Sequence, residues 1–243
     1  MKNKVFFFGI WCLFLTLSGY AQNESLKSQL RLLQIPSDYS FPLDSTGFSA
    51  IKNAKFYTKN GDIGIFDING KNIHIVDLNR DGIKDIIYQD DRHYQAIIVF
   101  LKKGNDFVEI WNGSGVLVDI TYGEKNTIHV LTSAIGCFDM ILLSELSIKK
   151  DNSIIENTVT LHSDTKISTI NTVFEQKIIS GILRSQPIID DTKKKDSCTE
   201  DMKEGNQLQK IKSKEVTVIQ NKNGWLQVVL KEKDNSIIGW IKA

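Results

Sequence analysis

Three cysteines in 243 residues are too few for a disulfide-knotted scaffold. Excess charge of one sign is also missing. Thirty Lys and Arg face 29 Asp and Glu, a formal net of +1. Such a balance offers no broad field to draw in nucleic acid or an anionic membrane, so no nucleic-acid partner is expected. No apolar run approaches the roughly 20 residues that a membrane-spanning helix needs, so no membrane span is expected. HExxH, GxSxG, a phosphate-binding glycine loop and a CxxC pair are all lacking, and with them the usual signatures of an enzyme. What remains is 41% hydrophobic and 24% charged, enough for one large domain or two modest ones with real cores.

Lys2 and Lys4 precede the apolar run from Val5 to Leu17, and Ser18-Gly19-Tyr20-Ala21 places small residues before a cut after Ala21. This pattern predicts a cleaved secretory signal peptide over 1–21 and a periplasmic or extracellular product. Gln22 follows the cut, whereas a lipoprotein needs Cys there, and Cys12 lies in the discarded segment. Losing Lys2 and Lys4 takes the formal charge from +1 to −1. Cys137 and Cys198 survive processing, and an exported compartment permits them to pair. Closing that loop of about 60 residues adds up to about 4 kcal/mol on the chain-entropy model. A disulfide and two free thiols both fit the sequence.

Leu26, Leu30 and Leu33 recur at helical spacing before Pro36, which predicts a short amphipathic helix over Ser25 to Gln34. From Lys55 onward the pattern is β: Lys71–Val76, Asp85–Tyr88, Ala96–Leu101, Phe107–Trp111, Val116–Tyr122, Thr127–Thr132, Met140–Ile148, Ser153–His162 and Lys166–Phe174. Asn69-Gly70, between Ile65-Phe66 and Ile73 to Ile75, predicts a type I′ hairpin turn. Trp111 to Gly115 reads as a turn between strands. The charged stretch Asp190 to Glu204 reads as a solvated loop, after which strands resume at Glu215–Ile219, Trp225–Leu230 and Ile237–Ile241. These features divide the mature chain into a β-rich domain over 22–175 and a smaller one over 176–243.

The sharpest motif is Asp77-Leu78-Asn79-Arg80-Asp81-Gly82-Ile83-Lys84-Asp85. Oxygen side chains stand at relative positions 1, 3, 5 and 9, Gly82 permits a sharp turn at position 6, and the Ile83 carbonyl is available at position 7. Ca2+ takes six to eight oxygens at about 2.3–2.6 Å, and Asp77, Asn79, Asp81, Ile83 and Asp85 offer five. An EF-hand is excluded, because Tyr88 holds the position of its bidentate Glu and the flanks are β-branched. The loop should connect two strands and hold calcium in the weak extracellular range, about 10⁻⁴ to 10⁻³ M, unless Asp90, Asp91 or water completes the shell. An Asx-rich turn without metal is the plain alternative. A strand, DxNxDGxxD and a second strand, continued by Ala96–Leu101 and Lys103-Gly104-Asn105-Asp106, resemble the FG-GAP or VCBS-type calcium repeat over about Lys71 to Trp111. With a single copy a complete propeller is not expected. The segment is also similar to small secreted β domains of the periplasmic lysozyme-inhibitor and immunity kind. The resemblance implies a calcium-stabilised binding scaffold, blade-like or sandwich-like.

Near the C-terminus, Gly181-Ile182-Leu183-Arg184-Ser185-Gln186-Pro187, Lys214–Ile219, Asn223-Gly224-Trp225-Leu226-Gln227-Val228 and Ile238-Gly239-Trp240-Ile241 follow one another. Their order resembles a bacterial SH3 (SH3b) domain, with an unusually long Ile188–Gln209 stretch. The resemblance implies a small SH3-like β-barrel that binds cell-wall peptide, peptidoglycan or another envelope protein. Trp225 and Trp240 read either as core residues or, with Arg184, as a platform for a peptide or glycan. His74, His93, His129 and His162 offer no catalytic spacing, and a Cys137–His129 nucleophile pair is the weakest reading. The sequence therefore points to a mainly β, secreted, non-catalytic binding protein of the bacterial envelope. An inhibitor or immunity protein that blocks a cell-wall hydrolase is the alternative.

Overall fold

The computed structural model describes residues 23–36, 38–59, 68–90, 96–134, 139–168, 172–195 and 202–243. Cys137, Cys198, His93, Ile65 and Phe66 lie outside them, and so does the signal segment. The chain is mainly β and forms two compact units. The larger holds 35–163 with 231–237; the smaller holds 23–34, 164–230 and 238–243. This division places the leading helix with the C-terminal strands, whereas the sequence reading assigned it to the 22–175 domain. Leu26 and Leu30 of that helix (α1, 23–32) and Leu33 in the turn that follows it are buried, as their spacing predicts.

In the larger unit one sheet runs in the order β1-β5-β4-β3-β2, with β1 Phe56–Tyr57, β2 Ile73–Val76, β3 Asp85–Gln89, β4 Ala96–Lys103 and β5 Asp106–Ser114. The unbroken apolar run Ile97 to Leu101 marks a strand buried on both faces, and period-2 alternation divides it between two cores. Ile97, Val99 and Leu101 join Val76 and Ile87 on one face, against Leu117, Ile120, Ile128, Val130, Leu146 and Ile148. The last six come from the antiparallel strands β6 Val116–Thr121, β7 Thr127–Thr132 and β8 Met140–Ile148, which β9 Ile154–His162 extends. Ile98 and Phe100 face the other way, with Ile73, Ile86, Tyr88, Phe56 and Phe107. Phe48 and Ile51 of the short helix α2 (Phe48–Ile51) pack against that second core. Each such side chain contributes about 1.5–3 kcal/mol through burial. β5 continues to Ser114, so Trp111–Ser114 are strand, and the turn reduces to Gly115 at φ 132. A Cβ there would meet the Leu131 carbonyl at 2.6 Å.

The smaller unit contains β10 Glu175–Arg184, β11 Lys193–Lys195, β12 Met202–Glu204, β13 Gln207–Lys222, β14 Trp225–Lys231 and the latter part of β15 Asn235–Lys242. β10, β13, β14 and β15 lie side by side in that order, and Arg184 pairs in turn with Trp240, so the ring of strands closes. The corner falls where the β10–β13 register shifts between Ile179 and Gly181, with Gly181 at φ 152 and Ser213 at φ 47. Positive-φ positions and bulges are how a sheet bends.

Three local expectations are corrected. The described parts of Lys166–Phe174 are irregular; the strand starts at Glu175. Part of the charged stretch pairs as the β11–β12 ladder, Lys193 opposite Glu204, because backbone pairing tolerates charged side chains that point to solvent. Asn69 and Gly70 both keep negative φ, and the Asn69 carboxamide instead accepts from Lys71 N at 2.8 Å in an Asx turn. The type I′ geometry belongs to Asn223-Gly224, at φ 52 and 75, between paired Lys222 and Trp225.

Candidate functional site

The 77–84 segment joins β2 to β3, whose first rung pairs Val76 with Asp85. Arg80 at φ 62 and Gly82 at φ 84 fold it sharply. The side chains of Asp77, Asn79 and Asp81 then draw onto the same few amides. Asp77 Oδ1 and Asn79 Oδ1 both accept from Asp81 N, at 3.2 and 3.1 Å. Asp77 Oδ2 accepts from Gly82 N at 3.0 Å, and Asp81 Oδ1 from Ile83 N at 2.7 Å. Oxygens of three side chains thus crowd one turn, which is the donor chemistry a hard cation takes.

Asp85 has a different place. Its carboxylate is 1% exposed and accepts from Leu78 N at 2.9 Å and Lys102 N at 3.0 Å. Burial pushes its pKa up to about 6 against those two amides, and the nearby Asp81 and Asp77 charges push the same way. Asp85 therefore clamps the end of the loop to β4. Among the described residues no three His, Cys, Asp or Glu side chains stand as a ready-made metal cage. The donors of this loop are carboxylates mixed with an amide and a carbonyl.

Two asparagines that the motif does not include hold the loop from outside. Asn126 Nδ2 donates to the Asp77 carbonyl at 2.8 Å, and Asn79 Nδ2 donates to Asn152 Oδ1 at 2.8 Å and to Asp81 Oδ2 at 2.9 Å. Asn152 sits at φ 65 in the β8–β9 turn. The positive φ favoured by Asn was the available sequence signal; the 73-residue separation from Asn79 hid the contact. Arg80 Nη1 donates to the Gly123 carbonyl and ties the loop to the β6–β7 connection.

His74, on β2, accepts the Asp44 amide at Nδ1 over 2.8 Å, with Phe41 edge-on to its ring at 5.6 Å. Burial holds its pKa below the ordinary histidine value; Asp44 opposes that shift and Lys84 adds to it. An open cleft of about 850 Å3 adjoins His74 and the 77–84 loop.

In the smaller unit Arg184 is 4% exposed. Its Nη1 donates to the Asp190 carbonyl at 3.1 Å and Asn206 Oδ1 at 2.9 Å, and its Nη2 pairs with Asp191 at 2.7 Å. The guanidinium thus braces the 185–192 segment. Trp240 is 4% exposed and forms part of the wall of a groove of about 480 Å3 that also includes Lys166, Pro187, Ile188 and Lys222. Trp225 is half-buried at the start of β14 and does not line that groove.

His129 lies between its cross-strand neighbours Asp119 and Glu145, with Nε2 3.2 Å from Glu145 Oε1. Its Nδ1 is 3.3 Å from Asp119 Oδ2 but is not aligned for a hydrogen bond. Cys137, its suggested nucleophilic partner, lies outside the described residues. Compared with known proteins, the chain matches no family model, no curated protein and no solved structure.

Proposed function

We propose that this chain is a secreted, non-catalytic binding protein of the bacterial envelope, with a calcium-stabilised β unit and an SH3b-like module that engages cell-wall peptide or an envelope protein. The observation that carries the reading is the gathering of Asp77, Asn79 and Asp81 oxygens on one turn between two strands. Those side chains and the Ile83 carbonyl would hold the ion, and Asp85 would fix the loop's exit through Leu78 N and Lys102 N. The closed ring of β10, β13, β14 and β15 around the GW segments supports the module, and Trp240 gives its groove an aromatic wall.

Calcium that binds the native state alone adds RT ln(1 + [L]/Kd), about 1.4 kcal/mol at ten times Kd. Melting of residues 22–243 should therefore rise with calcium and fall back with chelator, and Asp81→Ala should remove most of the difference. Equal curves in calcium and chelator would remove the ion from the account. Retention on purified peptidoglycan or by envelope proteins tests the partner; retention by neither counts against it. Inhibition of a cell-wall hydrolase by the same protein would favour the inhibitor reading instead.

A further inference from the structure

The open cleft of about 850 Å3 in the larger unit is lined largely by polar and charged residues. His74 stands on β2, Asp77, Arg80 and Lys84 on one flank, and Tyr122 and Glu124 on the β6–β7 connection opposite. Its size lies within the roughly 300–1,000 Å3 usual for ligand pockets. Because His74 Nδ1 accepts the Asp44 amide, Nε2 carries the proton of the neutral ring and is a donor. Lys84, Tyr122 and Glu124 make no hydrogen bond or ion pair among the described residues. Tyr122 is 62% exposed, so its ring face is open. Desolvation raises its hydroxyl pKa, and the charges of Asp44 and Asp119 push the same way.

The composition of these walls selects a ligand class. Apart from Tyr122, the large apolar contribution comes from Ile75 and Val76 alone, too little for a lipid or another hydrophobic ligand. Arg80 and Lys84 share the walls with Asp44, Asp77 and Glu124, a near balance of charge, so neither a polyanion nor a polycation meets a strong complementary field. Donors (Lys84 and His74) and acceptors (Glu124 and Asp44) are present in the same walls, which is what hydroxyl groups require, since each both gives and takes a hydrogen bond. An exposed tyrosine ring adds a flat apolar face with a polar edge. We propose that this cleft binds a neutral oligosaccharide, stacked on Tyr122 and hydrogen-bonded by Lys84 and Glu124. The site lies wholly in the larger unit and does not depend on the C-terminal module.

Calorimetric titration of residues 22–243 in calcium, with chitotetraose, cellotetraose, xylotetraose and maltotetraose as probes, tests the proposal. Tetragalacturonate serves as the charged control. At least one neutral tetrasaccharide should bind. Tyr122→Ala and the double variant K84A/E124A should each weaken it tenfold or more, whereas Tyr122→Phe keeps most of the affinity. These side chains are exposed, so the variants should melt with the parent, and a shared melting temperature excludes misfolding as the cause. Binding of none of the neutral probes, of tetragalacturonate alone, or unchanged binding in Tyr122→Ala would overturn the site. Melting with and without calcium in the same samples reads the calcium assignment separately, so either can fail while the other stands.

Discussion

Gly239 lies against the backbone of Arg184, so closely that a Cβ at 239 would stand 2.8 Å from the Arg184 carbonyl oxygen and 2.9 Å from Leu183 Cγ. The glycine of this GW pair is therefore a spacing device. It lets β15 approach β10 at the rung where Arg184 pairs with Trp240 and the ring of strands closes. A methyl group there forces the two strands apart, and overpacking of this kind costs about 1–3 kcal/mol. Gly239→Ala should lower the urea midpoint accordingly and shift the emission of the tryptophans toward that of exposed indole. An unchanged midpoint would mean the barrel does not close at this rung.

Two of the four Asn-Gly pairs of the chain, Asn69-Gly70 and Asn223-Gly224, make a matched test of turn geometry. Gly224 has φ 75 with open space around its Cβ position, so an added methyl meets backbone strain alone. Gly224→Ala should cost about 1–2 kcal/mol, the usual penalty for an L-residue in the left-handed region. At Gly70, φ is not positive and the nearest neighbour of an added Cβ, Ser45 Oγ, is at 3.5 Å, an ordinary contact. Gly70→Ala should be close to neutral in the same denaturation assay. Equal losses at the two positions would contradict the assignment of the type I′ turn to Asn223-Gly224.

This contrast shows what the sequence could and could not convey. Period-2 alternation located most of the strands, because the side-chain period of a sheet is fixed by the pleat and each core needs its face apolar: Ile97 to Leu101 divides between two cores as alternation requires. Turn type was less legible. An Asn-Gly dipeptide permits positive φ without demanding it, and at Asn69 a local Asx bond to Lys71 N wins. The loop motif was legible as a set of oxygens on a tight turn. The differing role of Asp85 was not, since its partner Lys102 N is 17 residues away and becomes a neighbour only when β4 is in place. Asn126 and Asn152 were hidden for the same reason. Arg184 and Trp240 stood out in sequence as candidate ligand groups, and tertiary pairing buries both.

The division of labour within the loop can be measured. Asp85→Ala strips acceptors from two backbone amides, Leu78 N and Lys102 N, at about 1–3 kcal/mol for each buried donor left unpaired. Asp81 is exposed, and its bond to Ile83 N can be replaced by water. In chelator, therefore, Asp85→Ala should melt far below the parent while Asp81→Ala stays within about 1 kcal/mol of it. In calcium, Asp81→Ala should fail to gain the stabilisation that the parent shows. Comparable losses for both variants in chelator would show that Asp85 is no clamp.

His74 gives the fold a pH dependence whose sign follows from its surroundings. Burial favours the neutral ring, and protonation would also end the Asp44 N–H bond to Nδ1. The folded-state pKa therefore lies below the unfolded value of 6.5, and the unfolded chain binds more protons between the two. Stability from this group is complete above pH 6.5, falls as the pH drops through that value, and stops falling below the folded pKa. Asp85 acts in the opposite sense: its folded pKa of about 6 exceeds the model-compound 3.8, so its neutral form stabilises the fold progressively as the pH falls across that interval. The two slopes overlap near pH 6, and a variant is needed to separate them. His74→Asn removes the titration and retains a side-chain oxygen as acceptor. Urea midpoints measured in chelator at pH 7.5 and 5.5 should show the parent losing more stability, or gaining less, than His74→Asn on acidification, with the Asp85 contribution common to both. Parallel shifts in parent and variant would mean that the His74 ring does not couple protonation to folding.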